Sequence, residues 1–320
     1  MAGFVRLGSA VYQINKIFNE SGIFRVGESK HEAKLEARSE GLVTPGQIAS
    51  STGIFSYSYA ESCRNTWFEL ARFAKSEFGI KDMTQIRAEH VQTFMQHRAE
   101  TVSRGTWNKE AAHVGKFGDA VRLYLTGQGI ERLVDDYRAA LGEIRKDVLQ
   151  GLPKVEAARG FSDPKAVISA LSGPYRLVAS VQYEGGARLR EAAQIKPEQL
   201  RGFSRDPVSG REVGRILLTD TKGGKIREIQ VRPGTYREIY SYMEKNGILK
   251  VGRSTYRAEV SKAATSAGES ARGTHDFRYC YAQERYGECI RSGMVGLVAM
   301  QQVSWEMGHE RADITMHYLR

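Results

Sequence analysis

Three short segments of this 320-residue chain carry side chains able to bind an anion, move a proton or attack as a nucleophile. The first is Gly186-Ala187-Arg188-Leu189-Arg190-Glu191, the second Thr274-His275-Asp276-Phe277-Arg278, the third Met307-Gly308-His309 followed by His317-Tyr318. Taken singly, each has a bland reading. Arg188, just after a glycine pair at the start of an amphipathic helix, reads as a surface charge. His275 and Arg278 are three residues apart and share one helix face, which a capped helix with a solvated arginine also explains. His309 and Tyr318 read as a buried structural histidine and a core tyrosine. A fourth segment, Thr221-Lys222-Gly223-Gly224-Lys225, lies between two β-rich runs and marks a hairpin tip. In this order and at this spacing, the segments are far more specific together than any is alone.

Together they resemble the tyrosine recombinase (phage integrase) family, over roughly residues 55–320. The family's first box, Gly-x-Arg-x-x-Glu, matches Gly186, Arg188 and Glu191. Its hairpin lysine matches Lys222, its His-x-x-Arg box matches His275 and Arg278, and its Leu-Gly-His box matches Met307-Gly308-His309, with Met for Leu. Its tyrosine, nine residues after that histidine, matches Tyr318. Tyr279 stands where many members carry His, the stretch from Arg278 to His309 is longer than in the shortest members, and two residues follow Tyr318 where many members continue with a docking helix.

The resemblance implies a site-specific recombinase that cuts and rejoins duplex DNA through a 3′-phosphotyrosyl intermediate, for integration, excision or resolution. Tyr318 would attack the phosphodiester. Arg188 and Arg278 would hold the non-bridging oxygens, because a guanidinium fork matches phosphate geometry. His309 would donate to the same phosphoryl group. Lys222 would protonate the leaving 5′-oxygen, with Lys225 as runner-up. His275 would take the proton of Tyr318 or orient the phosphate, and Glu191 would hold Arg188 or His275. No cofactor or metal is implied, since cationic and donor groups carry the charge and the phosphotyrosine keeps the bond energy. Implied partners are a double-stranded recombination site, further copies of the chain (a dimer on one site, a tetramer in synapsis) and an accessory DNA-bending or directionality protein. Two other readings remain open: a nicking-joining topoisomerase with the same chemistry and no fixed site, and a catalytically idle DNA-binding protein of this fold.

The composition is compatible with DNA as a partner. The chain carries 47 Lys+Arg against 37 Asp+Glu, a formal charge of +10. Residues 1–155 hold 21 basic and 18 acidic side chains, and residues 156–320 hold 26 and 19. A basic chain is drawn to polyanions. No apolar run approaches the ~20 residues a membrane span needs, no signal peptide is evident, and Cys63, Cys280 and Cys289 form no CxxC. A reducing cytoplasm is therefore the expected compartment. No HExxH, Walker A or dinucleotide loop is present.

The elements that must position these residues read as mainly α: a helical core-binding bundle, then a mostly helical catalytic domain with a small antiparallel β-sheet. The expected divisions are 1–54, an N-terminal extension; 55–150, the bundle; and 151–320, the catalytic domain. Ser58 with Glu61 reads as a capping box opening a helix that carries Trp67, Leu70, Ala74 and Phe78 at helical spacing. Thr84 is expected to cap a second helix, a third to start near Thr106, and a fourth to run from about Glu131 to Leu149 with a solvated DDYR stretch. Residues 214–221 and 225–231 read as a hairpin. DNA contacts are expected from Lys225 and Arg227 on that hairpin. In the bundle they are expected from Arg64, Arg72, Lys75, Arg104, Lys109, Lys116 and Arg122, with Trp107 among them.

Overall fold

The computed structural model describes residues 8–153, 159–219 and 226–319. The chain forms two compact units, Met1–Val155 and Glu156–Arg320.

In the first unit, apolar residues at helical spacing set the core. Helix Tyr57–Phe78 buries Ala60, Cys63, Trp67, Leu70 and Ala74 on one face and stops at Gly79, whose φ of +66° suits glycine. Helices Ala88–Ala99, Arg104–Gly127 and Tyr137–Gly151 close around it. The caps differ from the expected ones. Ser56, not Ser58, accepts from the Tyr59 amide. Thr84 sits in the short turn Met83–Gln85, where Asp82 caps it. Ser103 caps the third helix and Asp136 the fourth, so the fourth starts at Tyr137 instead of near residue 131. The DDYR stretch is not simply solvated either. Tyr137 is buried, and Arg138 grips the buried Asp119 with two hydrogen bonds of 2.6 Å.

The expected N-terminal extension is corrected. Helix Ala10–Glu20 places Ile14, Ile17 and Phe18 in the same core as Trp67, and Ile23 and Ile54 join them. The unit divides from the next near 155, not 150.

The second unit is built around helix Gly173–Gly185, whose Leu177, Val178, Ala179, Val181 and Tyr183 are all buried. Strands Glu212–Leu218 and Arg227–Val231 pair antiparallel, Gly214 with Val231 and Leu218 with Arg227. This matches the hairpin, whose tip, with Lys222 and Lys225, lies outside the described residues. A third strand, Leu200–Arg205, lies outside the expected hairpin and pairs with Glu212–Leu218. Gly214 must be small, because a Cβ there would lie 2.3 Å from Tyr236. The unit ends in helices Asp276–Arg291, Gly296–Glu306 and Ala312–Thr315, the first two separated by a turn at 292–295. Tyr279, Ala282, Cys289, Ala299, Val303, Met307 and Tyr318 form their shared apolar cluster. No described helix is long and apolar enough to cross a membrane.

Candidate active site

Arg188 opens the short helix Leu189–Ala192. Glu191 accepts from the Arg188 backbone amide at 2.8 Å and from its Nη1 at 2.9 Å. One carboxylate thus caps the helix and aims the guanidinium. It holds Arg188 and not His275. Gly186, at φ +59°, leaves no room for a side chain: a Cβ would meet the Tyr281 ring at 2.5 Å.

Arg278 is fully buried. Its Nη1 donates to the Gly186 carbonyl, and its Nη2 donates to the Met307 carbonyl at 3.0 Å and reaches His309 Nε2 at 3.3 Å. Arg188 Nη2 approaches the same Nε2 at 3.4 Å. Two guanidinium donors converging on Nε2 make it the acceptor and put the ring proton on Nδ1. Gly308 permits this convergence. Its φ is +73°, and a Cβ there would lie 2.9 Å from Arg227 Nε and 3.4 Å from Arg188 Nη1.

Tyr318 completes the group. Its hydroxyl is 3.3 Å from His275 Nε2, and its ring lies 5.8 Å from the Arg278 guanidinium carbon. The structure therefore brings together Arg188, Glu191, His275, Arg278, His309 and Tyr318. Lys222 and Lys225 lie outside the described residues.

The expected DNA contacts divide. Arg72 and Lys109 are exposed, although Arg72 also pairs with Glu69. Arg64 is half-buried, with its guanidinium carbon 5.5 Å from the Phe18 ring. Lys116 is corrected: it is buried, donates to the Ala49 and Thr52 carbonyls and lies 3.5 Å from Asp119. Trp107 is likewise core, its indole donating to the Met95 carbonyl at 2.8 Å. Arg227 is corrected too. Its Nη2 donates to Glu191 at 2.6 Å and its Nη1 to the Glu306 carbonyl. It braces Glu191, and so Arg188, from behind.

Sequence reading missed the scaffold under the third box. Arg285 makes two 2.8 Å hydrogen bonds to Asp206, bonds of 2.8 and 2.7 Å to Glu306, and one of 2.6 Å to Glu288. The Tyr281 hydroxyl donates to Glu306 at 2.7 Å. These contacts fix the end of helix Gly296–Glu306, from which the Glu306 and Met307 carbonyls hold Arg227 and Arg278. Burial raises the Asp206 pKa, but hydrogen bonds from Arg285 and Ser209 outweigh it and hold the carboxyl well below its usual range. Asp206→Asn removes one of three carboxylates around Arg285 and weakens two charge-assisted hydrogen bonds, a change that costs about 1.5–3 kcal/mol. Urea unfolding should show this loss, and an unchanged midpoint would contradict the brace.

Electrostatics favours an anion. Burial lowers the Arg278 pKa to about 10, with Tyr318 opposing the shift and Arg188 and Arg227 adding to it, so Arg278 stays charged at neutral pH. For Glu191 burial works upward, but Arg227 and Arg188 prevail and keep the carboxylate ionised. Among the described residues, Arg188, Arg227 and Arg278 therefore face one carboxylate, which leaves two positive charges uncompensated there. His275 and His309 are lowered to about 4, first by burial, then by surrounding guanidiniums: Arg278, Arg159 and Arg188 for His275, and Arg278, Arg188 and Arg227 for His309. His275 keeps an exposed edge, yet three cations beside it drive the same way. Both rings are neutral at pH 7. In the unfolded chain they titrate near 6.5, so their contribution to stability is complete above about 6.5 and is lost as the pH falls towards 4. Their ring resonances should not titrate between pH 7 and 5, while the melting temperature falls over that range. Midpoints near 6.5 would contradict the geometry.

No protein-family model and no curated protein matches the chain. Solved structures do. One is the XerH site-specific recombinase bound to a palindromic difH substrate in a post-cleavage complex: 14% identity over 97% of this chain and 91% of that one, TM-score 0.56. Another is a lambda integrase dimer bound to a COC′ core site: 12% identity over 91% and 77%, TM-score 0.58. A lambda integrase tetramer bound to a Holliday junction matches at 12% over 86% and 75%, TM-score 0.56. The chain has the tyrosine recombinase fold, mostly helical with a small antiparallel sheet.

Proposed function

We propose that this protein is a site-specific DNA recombinase that cuts and rejoins duplex DNA through a 3′-phosphotyrosyl intermediate. One observation carries the reading. Arg278 is a fully buried cation whose partners are two carbonyls and a neutral imidazole, with no carboxylate paired to it among the described residues. The other buried arginines described in this unit do have carboxylate partners: three for Arg285 and Glu191 for Arg227. A buried charge without a counterion is costly. A phosphodiester supplies the missing anion, and its pentavalent transition state, with two negative charges, balances the two unmatched cations.

The Tyr318 oxygen attacks phosphorus and its proton passes to His275 Nε2, which is neutral and can accept it. Arg188 and Arg278 turn their donors from His309 to the phosphoryl oxygens. Nε2 of His309 is then free to carry the proton and donate to the same group. The 5′-oxygen leaves with a proton, for which Lys222 is the candidate donor. A second 5′-hydroxyl reverses the sequence on the other strand and reseals the DNA. XerH and lambda integrase are described bound to DNA, the latter as dimer and tetramer, which supports assembly of several copies on a recombination site.

The test is covalent capture. The full-length protein is incubated, with a chelator, with nicked duplexes of randomised sequence that lose the 5′-hydroxyl strand after cleavage. Adducts that survive denaturation are isolated, their DNA sequenced and the modified peptide mapped. A shared DNA site linked to Tyr318 is expected. No adduct from any duplex would sink the reading. Relaxation of supercoiled plasmid of arbitrary sequence would replace it with the topoisomerase one.

A further inference from the structure

We propose that Tyr279 is a positioning residue for the nucleophile, braced by Arg159, while Gln283 pins the backbone of Tyr318. The inference rests on reading Tyr318 as the nucleophile. Tyr279 follows Arg278 in sequence but serves a different neighbour. Its buried ring lies 4.7 Å from the Tyr318 ring, centroid to centroid, at 43°, and 5.6 Å from the His275 ring. Its hydroxyl accepts from Arg159 Nη1 at 2.9 Å, and the Arg159 guanidinium carbon stands 5.3 Å from its ring. Four residues on, one helical turn away, Gln283 Nε2 donates to the carbonyls of both Tyr318 and Arg159 at 3.1 Å.

The nucleophile needs such support. The helix before it, Ala312–Thr315, is a single turn, and Tyr318 is joined to it by one backbone hydrogen bond to Thr315 at 2.8 Å. A phenol free to rotate about χ1 and χ2 spends little time in line with phosphorus, and misplacement by about 1 Å can cost about 100-fold in rate. Tyr279 fixes the ring plane, Gln283 fixes the carbonyl end, and Arg159 holds Tyr279 against sliding. An imidazole at position 279 has no distal hydroxyl for Arg159 to donate to, so the exchange of the family's common His for Tyr carries the brace with it.

The test uses the full-length protein and the duplex recovered by covalent capture. Tyr279→Ala should slow adduct formation about 100-fold with DNA affinity unchanged in gel shifts. Tyr279→Leu, which fills the volume without an aromatic face, serves if the alanine variant does not fold. Tyr279→Phe keeps the ring and loses only the Arg159 bond, so its loss should be smaller. A second readout separates aim from general support. In a Tyr318→Phe background, added hydrogen peroxide supplies HOO⁻, which attacks the same phosphorus and expels the 5′-oxygen. Tyr279→Ala should leave that cleavage unchanged, because the phosphate-holding groups are intact. Wild-type adduct rates in the Tyr279 variants, or an equal fall in peroxide cleavage, would overturn the proposal. Absence of any adduct from the wild-type protein would instead overturn the reading of Tyr318.

Discussion

Tyr318→Phe is expected to bind the recovered duplex as tightly as the wild-type protein and to form no covalent adduct with it. The loss should be on the order of 10⁴-fold or more in single-turnover cleavage, the scale of nucleophile deletions in other covalent enzymes. The substitution removes one oxygen. The ring still packs against Tyr279 within the terminal apolar cluster, so the fold has no reason to change. Among the described residues, the two tyrosine hydroxyls flanking the second box are already engaged. That of Tyr279 is held by Arg159, and that of Tyr281 is buried against Glu306. His317 is exposed. The adduct is measured after denaturation, and an adduct in Tyr318→Phe mapping to Tyr279 or Tyr281 would overturn the assignment.

The helices and the hairpin were legible because their signals are local: apolar residues at helical spacing, a Gly-Gly turn between β-rich runs. The caps were less so. Ser56 and Ser58 are equally good cap residues, and only the path of the chain decides between them. Strand Leu200–Arg205 has Arg201, Gly202, Ser204 and Arg205 around a single Phe203, so its β character comes from pairing, not composition. The basic residues of the first unit look alike in sequence, yet Lys116 is buried and Lys109 exposed. The site shows the same division. Arg188, His275, Arg278, His309 and Tyr318 stand out by order and spacing. Their supports include the carbonyls of Gly186, Glu306 and Met307, which no side-chain pattern can reveal. One support did leave a trace. Positions 278, 282, 285 and 289 form the buried stripe of helix Asp276–Arg291, and two of the four are arginine. An arginine on a core stripe requires an anion. For Arg285 the anions are Asp206, Glu306 and Glu288. For Arg278 the described residues offer none.

That asymmetry makes Arg278→Lys the most informative substitution among the groups proposed to hold the phosphate. The guanidinium spans the Gly186 carbonyl, the Met307 carbonyl and His309 Nε2 at once, and a lysine ammonium, a single point on a flexible stem, cannot reproduce that fork. Charge is retained, so the attraction of the site for DNA should persist and the dissociation constant should change little. The oriented donors are lost. They matter most when charge accumulates on the phosphoryl oxygens, and loss of one such donor typically costs about 3–4 kcal/mol, or about 10²–10³-fold in the cleavage step. Arg278→Ala would be a poorer probe, since it would leave two buried carbonyls unpaired and destabilise the fold itself. Arg188→Lys should act in the same direction but less strongly, because Arg188 is only half-buried and Glu191 can still hold an ammonium nearby. Adduct formation and binding measured on one duplex distinguish the two roles an arginine can have here. If Arg278→Lys weakens binding as much as it slows cleavage, the residue grips the phosphate equally before and during reaction. A fall confined to cleavage places its work in the transition state, whose added charge matches the cations left unbalanced among the described residues.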